Sequence, residues 1–194
     1  MFPFVIEKGK ITKKGVPVLN EKEKKEILDM IERKAVEAII RDDTCARSTM
    51  HGLSCYFKFI PETMVAASWA LTGGVAASSG SCGALCSSLL AIGARYFPTM
   101  DEVEAGGEVA DKKMEKGLEK LFAYRDAFMK EFGSLSCPGV QKGVFGRSYN
   151  FLDEKEQEEF LTMEGHSEKC ATVVGKAVRM AAEMILEDEE QPPD

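Results

Sequence analysis

Between Glu62 and Arg95 the chain carries no charged residue, and this span most constrains what the protein can fold into. So long an uncharged run is long enough to cross a bilayer once, and a membrane reading has to be weighed against a buried core. It does not read as one membrane helix. Gly73-Gly74 and the Ser/Gly cluster at 78–81 break it into apolar pieces of about a dozen residues, the length of buried core helices. Glycine, serine and small apolar residues fill 73–81, so the backbone there can turn tightly and approach another group closely. From Cys82 the pattern becomes helical, with Leu85, Leu89 and Ile92 at spacings of four and three. Ser81 is the expected N-cap. That puts Cys82 in the first turn, where free N–H groups and the helix dipole favour a thiolate. Cys86 follows one turn on, along the same face.

A chain of 194 residues with a 44% hydrophobic share can bury a sizeable single core. Its net charge of −7 argues against nucleic acid as a partner, because phosphate binding needs a basic face. Six cysteines are too few, in a chain this long, to read as a disulfide framework. The opening Met1-Phe2-Pro3-Phe4-Val5 has no basic segment leading a long apolar run, so no secretory signal is expected. The expected compartment is the reducing cytoplasm, where the thiols would be buried, catalytic or ligating. Membrane association is not expected.

The rest of the chain reads as helices. Residues 1–19 form an extended arm, 20–187 a single helical domain, and 188–194 an acidic tail. Asn20 with Glu23 makes a capping box for a helix to about Ile40, whose buried face carries Ile27, Ile31, Ala35, Ala38 and Ile39. Asp42-Asp43-Thr44 offers an N-cap for a helix over 45–59, bent near Gly52, that holds Cys45, His51 and Cys55. Pro61 starts the next helix, which ends at Gly73-Gly74, with Trp69 in the core. A helix over 82–96 stops before Pro98, and 101–107 reads as irregular. A long amphipathic helix over 109–132 ends at Gly133. Cys137-Pro138-Gly139 reads as a turn, 143–149 as irregular and 153–163 as a short acidic helix, before a last helix from Ser167. No segment reads as a strand. The expected fold is all-α, a helical bundle with short loops.

Four cysteines stand at or near helix starts or turns: Cys45 after Asp43-Thr44, Cys82 after Ser81, Cys137 before Pro138, and Cys170 after Ser167. Cysteine is a small, commonly buried hydrophobe, but helix N-termini are also where thiolates are stabilised. Cys55 and Cys86 lie mid-helix. His51 is off the helical face of Cys45, and His166 is expected to be solvated or capping, so neither histidine is read as a ligand. No phosphate loop, dinucleotide fingerprint or hydrolase triad is present in the sequence.

The cysteine pattern resembles that of the C_GCAxxG_C_C family of redox-active proteins, named for four characteristic cysteines. The Cys-Gly-Ala-x-x-Gly motif stands here as Cys82-Gly83-Ala84-Leu85-Cys86-Ser87, and the other three cysteines fall on Cys45, Cys137 and Cys170. The resemblance spans roughly residues 25–187. Ser87 replaces the closing glycine, and Cys86 is an additional thiol. The resemblance implies a helical redox protein of the anaerobe type, with Cys45, Cys82, Cys137 and Cys170 as ligands and Cys86 and Gly83 beside them. A related domain in split-Soret cytochromes implies an iron–sulfur site, 2Fe–2S in preference to 4Fe–4S. No Cys-x-x-Cys-His supports a covalent haem.

Four cysteines are the usual complement of an iron–sulfur cluster, and the same sulfur set suits zinc. The alternatives are metal-free thiol–disulfide chemistry, or a non-catalytic accessory subunit stabilised by zinc. The expected partner is a redox protein or an oxidoreductase complex, and a homodimer stays open.

Overall fold

The computed structural model describes residues 19–189, so the expected arm up to residue 18 and the tail from residue 190 lie outside the described residues. The described residues are 75% helical and include no named strand, as the sequence pattern requires. In chain order the helices are α1 (Glu21–Asp42), α2 (Cys45–Ser54), α3 (Glu62–Ala67), α4 (Gly83–Tyr96), α5 (Met100–Ala105), α6 (Glu108–Phe132), α7 (Cys137–Phe145), α8 (Glu154–Thr162) and α9 (His166–Glu189), with a 3-10 turn at Ser68–Leu71 after α3.

The long helices α1 and α9 share the most extensive interface, α2 packs on both, and α4 joins α2, α6 and α9. Ile31, Ala35 and Ile39 of α1 meet Val174, Val178 and Ile185 of α9 in one fully buried core. Burying each of these isoleucines and valines stabilises the fold by about 1.5–3 kcal/mol. Tyr124 and Phe128 bring α6 into the same core, and the Tyr124 hydroxyl donates to the Ala177 carbonyl at 2.9 Å. Among the described residues no helix is long and apolar enough to cross a membrane. The uncharged span between Glu62 and Arg95 is divided among α3, the 3-10 turn, an irregular loop and α4.

The capping box at Asn20 is formed: its side chain accepts from Lys22 and Glu23 N–H, and Glu23 accepts from Asn20 N–H. Other local expectations differ from the structure. Asp43 does not cap α2. It ends α1 in the left-handed region (φ 50°), and Thr44 takes the N-cap position of α2 without a side-chain bond. The helix expected over 45–59 ends at Ser54, putting Cys55 at its C-cap. Residues 100–105 are helical, because Thr99 and Glu102 make a second capping box. Cys137 opens a helix rather than a turn: the Ser136 hydroxyl accepts from Gly139 N–H, and Pro138 fits the first turn, where no N–H is needed. Trp69 is 61% exposed rather than in the core. The 3-10 turn that carries it buries only Ser68.

The α1–α2 crossing depends on Gly52. A Cβ there would lie 2.7 Å from the Ala35 Cβ and 2.9 Å from the Ile31 carbonyl oxygen. Alanine would gain about 0.8–1 kcal/mol of helix propensity, but overpacking against a backbone oxygen costs about 1–3 kcal/mol. Gly52→Ala should therefore lower the melting temperature, and Gly52→Val should lower it further. A higher melting temperature for Gly52→Ala would show that the two helices separate freely.

Candidate functional site

Cys45 is the first residue of α2, Cys82 caps α4, Cys137 is the first residue of α7, and Cys170 lies in the second turn of α9. All four line one cavity of about 170 Å³. Cys82 is 6% exposed, and the other three are partly buried. Backbone contacts converge the elements. Cys82 N–H donates to the Leu135 carbonyl at 2.9 Å, and Cys137 N–H donates to the Gly80 carbonyl at 2.7 Å. These two bonds form an isolated antiparallel bridge at Ser81 and Ser136, which seats the starts of α4 and α7 side by side. Gly83 holds α4 against α2. A Cβ on it would stand 2.7 Å from the Cys45 sulfur and 2.8 Å from the Leu71 oxygen, so only glycine fits this approach.

The loop before α4 takes an unusual course. Gly73, Gly74, Val75, Ala76 and Ala77 all have positive φ (66°, 80°, 67°, 49° and 55°), as does Ser79 at 59°. Left-handed backbone costs about 1–2 kcal/mol for each non-glycine residue. Compensating bonds close it: Ala76 N–H donates to Ala70 O at 2.7 Å, Ala77 N–H to Thr72 O at 3.0 Å, and Gly80 N–H to Gly74 O at 2.8 Å. The Ser79 hydroxyl accepts from Phe151 N–H at 3.1 Å. Thr72, Gly73 and Ala77 thereby become cavity wall. Phe145, Phe151 and Phe160 wall another part, with ring centroids 5.4 Å (Phe145–Phe160) and 4.9 Å (Phe151–Phe160) apart.

The expected low-pKa thiolate at Cys82 is overturned. Burial pushes its thiol up to about 12, and negative charge at Cys45 and Cys137 would raise it further, against the opposing N–H groups of Leu85 and Ala84. Ser81 does not cap α4, and Cys82 itself, in the cap position, makes no side-chain capping bond. Burial likewise pushes Cys137 up to about 12, with charge on Cys45 adding to it and the Gln141 amide opposing it. Burial also raises Cys45, against the N–H groups of Gly73, Ala46 and Gly83, and raises Cys170, where charge at Cys45, Asp43 and the other two thiols adds. Desolvation outweighs the helix dipole, because the dipole is worth at most about 2 kcal/mol.

The remaining candidates lie outside this wall. Cys86, partly buried, is not among the cavity-lining residues. Its N–H donates to the Cys82 carbonyl at 3.0 Å. Cys55 sits at the C-cap of α2, its sulfur 3.9 Å from His51 Nε2. His166 opens α9 and is tied down rather than solvated. Its Nε2 is 2.9 Å from Asp43 Oδ2 and its Nδ1 is 3.0 Å from the Met163 carbonyl. Both partners are acceptors, so the protonated ring, with a proton on each nitrogen, satisfies both. Asp43 also lines the cavity.

Gln141 is a site residue that the sequence did not reveal. It is 4% exposed and lines the cavity, with its Nε2 3.6 Å from the Cys137 sulfur. Its spacing of four from Cys137 on α7 is the only sequence signal that could have found it. Among the described residues, no group of three or more His, Cys, Asp or Glu side chains is arranged to hold one metal ion.

The model of a protein family described as "Putative redox-active protein (C_GCAxxG_C_C)" matches residues 44–184. The chain belongs to the C_GCAxxG_C_C family. The match contains all six cysteines, the four that line the cavity included, and family membership supports a redox role. No curated protein and no solved structure matches the chain.

His166 makes stability depend on pH. Burial alone would lower its pKa, but the hydrogen bond and charge of Asp43, with the Met163 carbonyl, raise it above the usual value. The stabilisation is fully present below the unfolded pKa of about 6.5 and is lost as pH rises through the higher folded value. Asp43→Asn should lower the His166 pKa measured by NMR titration and flatten the melting temperature across that window. An unchanged His166 titration would sever the pair.

Proposed function

We propose that this C_GCAxxG_C_C protein is an electron-transfer protein whose Cys45, Cys82, Cys137 and Cys170 together hold an iron–sulfur cluster. The observation that carries the reading is that four cysteines, brought by four different helices, line one cavity. Burial opposes ionisation of every one of them, and charge on Cys45 would further oppose ionisation of the other three. Four such groups can all ionise only around a cationic centre, and four cysteines are the common ligand set of iron–sulfur clusters. A cluster spreads its charge over several atoms, so its ligands need not meet at one ion. A 2Fe–2S form is the preferred content. When bound it would supply one-electron chemistry.

The chain's own groups do the rest. The Ser81–Ser136 bridge and Gly83 hold the ligand-bearing elements together. Phe145, Phe151 and Phe160 exclude water from one wall, and the Gln141 amide donates to Cys137. Gly83 acts through close packing, and Cys86 is a neighbouring thiol. Leu161 lines the cavity while 52% exposed, beside the exposed Glu158 and Glu159 of α8. A redox partner or oxidoreductase complex with a basic face would approach there. A reducing compartment, the cytoplasm, fits six free thiols.

A second reading is thiol–disulfide exchange without metal. The backbone bridge that seats Cys82 beside Cys137 favours it, and their high pKa values oppose it. Iron and acid-labile sulfide analysis of anaerobically purified protein separates the readings. Both should be present, and serine at Cys45, Cys82, Cys137 or Cys170 should lose most of the iron. Cys55→Ser and Cys86→Ser should retain it. Iron-free protein with a Cys82–Cys137 disulfide by mass spectrometry would favour thiol exchange, and bound zinc would favour an accessory subunit.

A further inference from the structure

Gln141 is a buried polar side chain with one rigid orientation. It lies one helical turn from Cys137 on α7, so the two side chains share a face. Its carboxamide has a donor end and an acceptor end, and the surroundings decide which points where. The Tyr149 main-chain N–H, 2.8 Å away, can only donate, so the atom facing it must be Oε1. Nε2 is then directed at the Cys137 sulfur, 3.6 Å away. Tyr149 is itself fixed, 4% exposed, with the Arg147 guanidinium 4.4 Å above its ring and Phe145 edge-on to it. The amide cannot turn over without placing Nε2 against a second donor, and burial leaves little water to compensate.

We propose that Gln141 is a positioning residue that sets the reduction potential of the cysteine site through Cys137. The proposal rests on the iron–sulfur reading above. In the redox step one electron passes from a reduced donor protein to the site. The donor is oxidised by one electron, and no covalent bond forms or breaks. The added charge is shared by the ligating sulfurs, and an N–H aimed at one of them stabilises the reduced state more than the oxidised one. The effect is strong here because the donor is buried in an apolar wall, where a dipole acts at low dielectric. Gln141 therefore raises the potential.

Two substitutions separate this role from packing. Gln141→Glu keeps an oxygen for Tyr149 N–H, so the local fold is retained, but it replaces the N–H donor with an oxygen. Gln141→Leu keeps the bulk and removes the dipole. A hydrogen bond to a charged group is worth about 1.5 kcal/mol, or about tenfold in the oxidised-to-reduced equilibrium, which is about 59 mV for one electron. The potential of anaerobically purified protein should fall by about that much in Gln141→Leu and further in Gln141→Glu. If the wild-type protein holds no iron, the same donor is read at the sulfur itself. Alkylation of Cys137 at fixed pH, followed by peptide mapping, should then slow several-fold in both variants while Cys55 is unchanged. Iron content of the wild type judges the cluster reading separately. Equal potentials in all three proteins, or equal Cys137 alkylation where iron is absent, would overturn the role of Gln141, even if the variants melt earlier.

Discussion

Two backbone hydrogen bonds, Cys82 N–H to the Leu135 carbonyl and Cys137 N–H to the Gly80 carbonyl, hold the site together. They join segments more than fifty residues apart in an otherwise helical protein, and they do so at the start of two helices. Each bond contributes only about 0.5–1.5 kcal/mol net. Their geometric effect is larger than that figure, because they fix where α4 and α7 begin relative to each other. Gly83 adds the third element by letting α4 approach within contact of the Cys45 sulfur. Cys170 arrives on α9, whose length is anchored on α1 by the main core.

The cavity that results reverses a familiar expectation about helix N-termini. A cysteine at such a terminus in water would be a better acid than free cysteine. Here burial acts on all four thiols at once, and it raises Cys82 and Cys137 to about 12. Burial disfavours the charged form by up to several pKa units, whereas an end-of-helix dipole supplies roughly one. The arrangement thus stores uncharged thiols that a cationic occupant would convert to thiolates. Isolated thiol nucleophiles are poorly served by it.

The left-handed loop shows how local cost is accepted for site geometry. Val75, Ala76 and Ala77 occupy a region that residues with a Cβ avoid. Hydrogen bonds back to Ala70 and Thr72 and the Ser79–Phe151 contact hold them there. The outcome is a compact wall that brings Thr72, Gly73 and Ala77 to the cavity. Strain of this kind concentrates at functional sites.

The sequence by itself determined the all-α class, because apolar residues recur at helical spacing and no segment alternates. It also determined α1 through its capping box, α6 and α9 through long amphipathic faces, and the family through four spaced cysteines. The short helix α5 was equally legible: Thr99-Met100-Asp101-Glu102 is a capping box that composition obscured. Only the tertiary structure decided which sulfurs share a cavity, since Cys86 carries the same chemistry as Cys82 yet lies outside the wall one turn away. It also decided Cys82's acidity, the exposure of Trp69, the His166–Asp43 pair and the orientation of Gln141. Each of these depends on what lies across a gap from residues distant in the chain. Periodicity and capping act within a few residues, whereas burial and hydrogen-bond complementarity are set by neighbours that the local sequence does not contain.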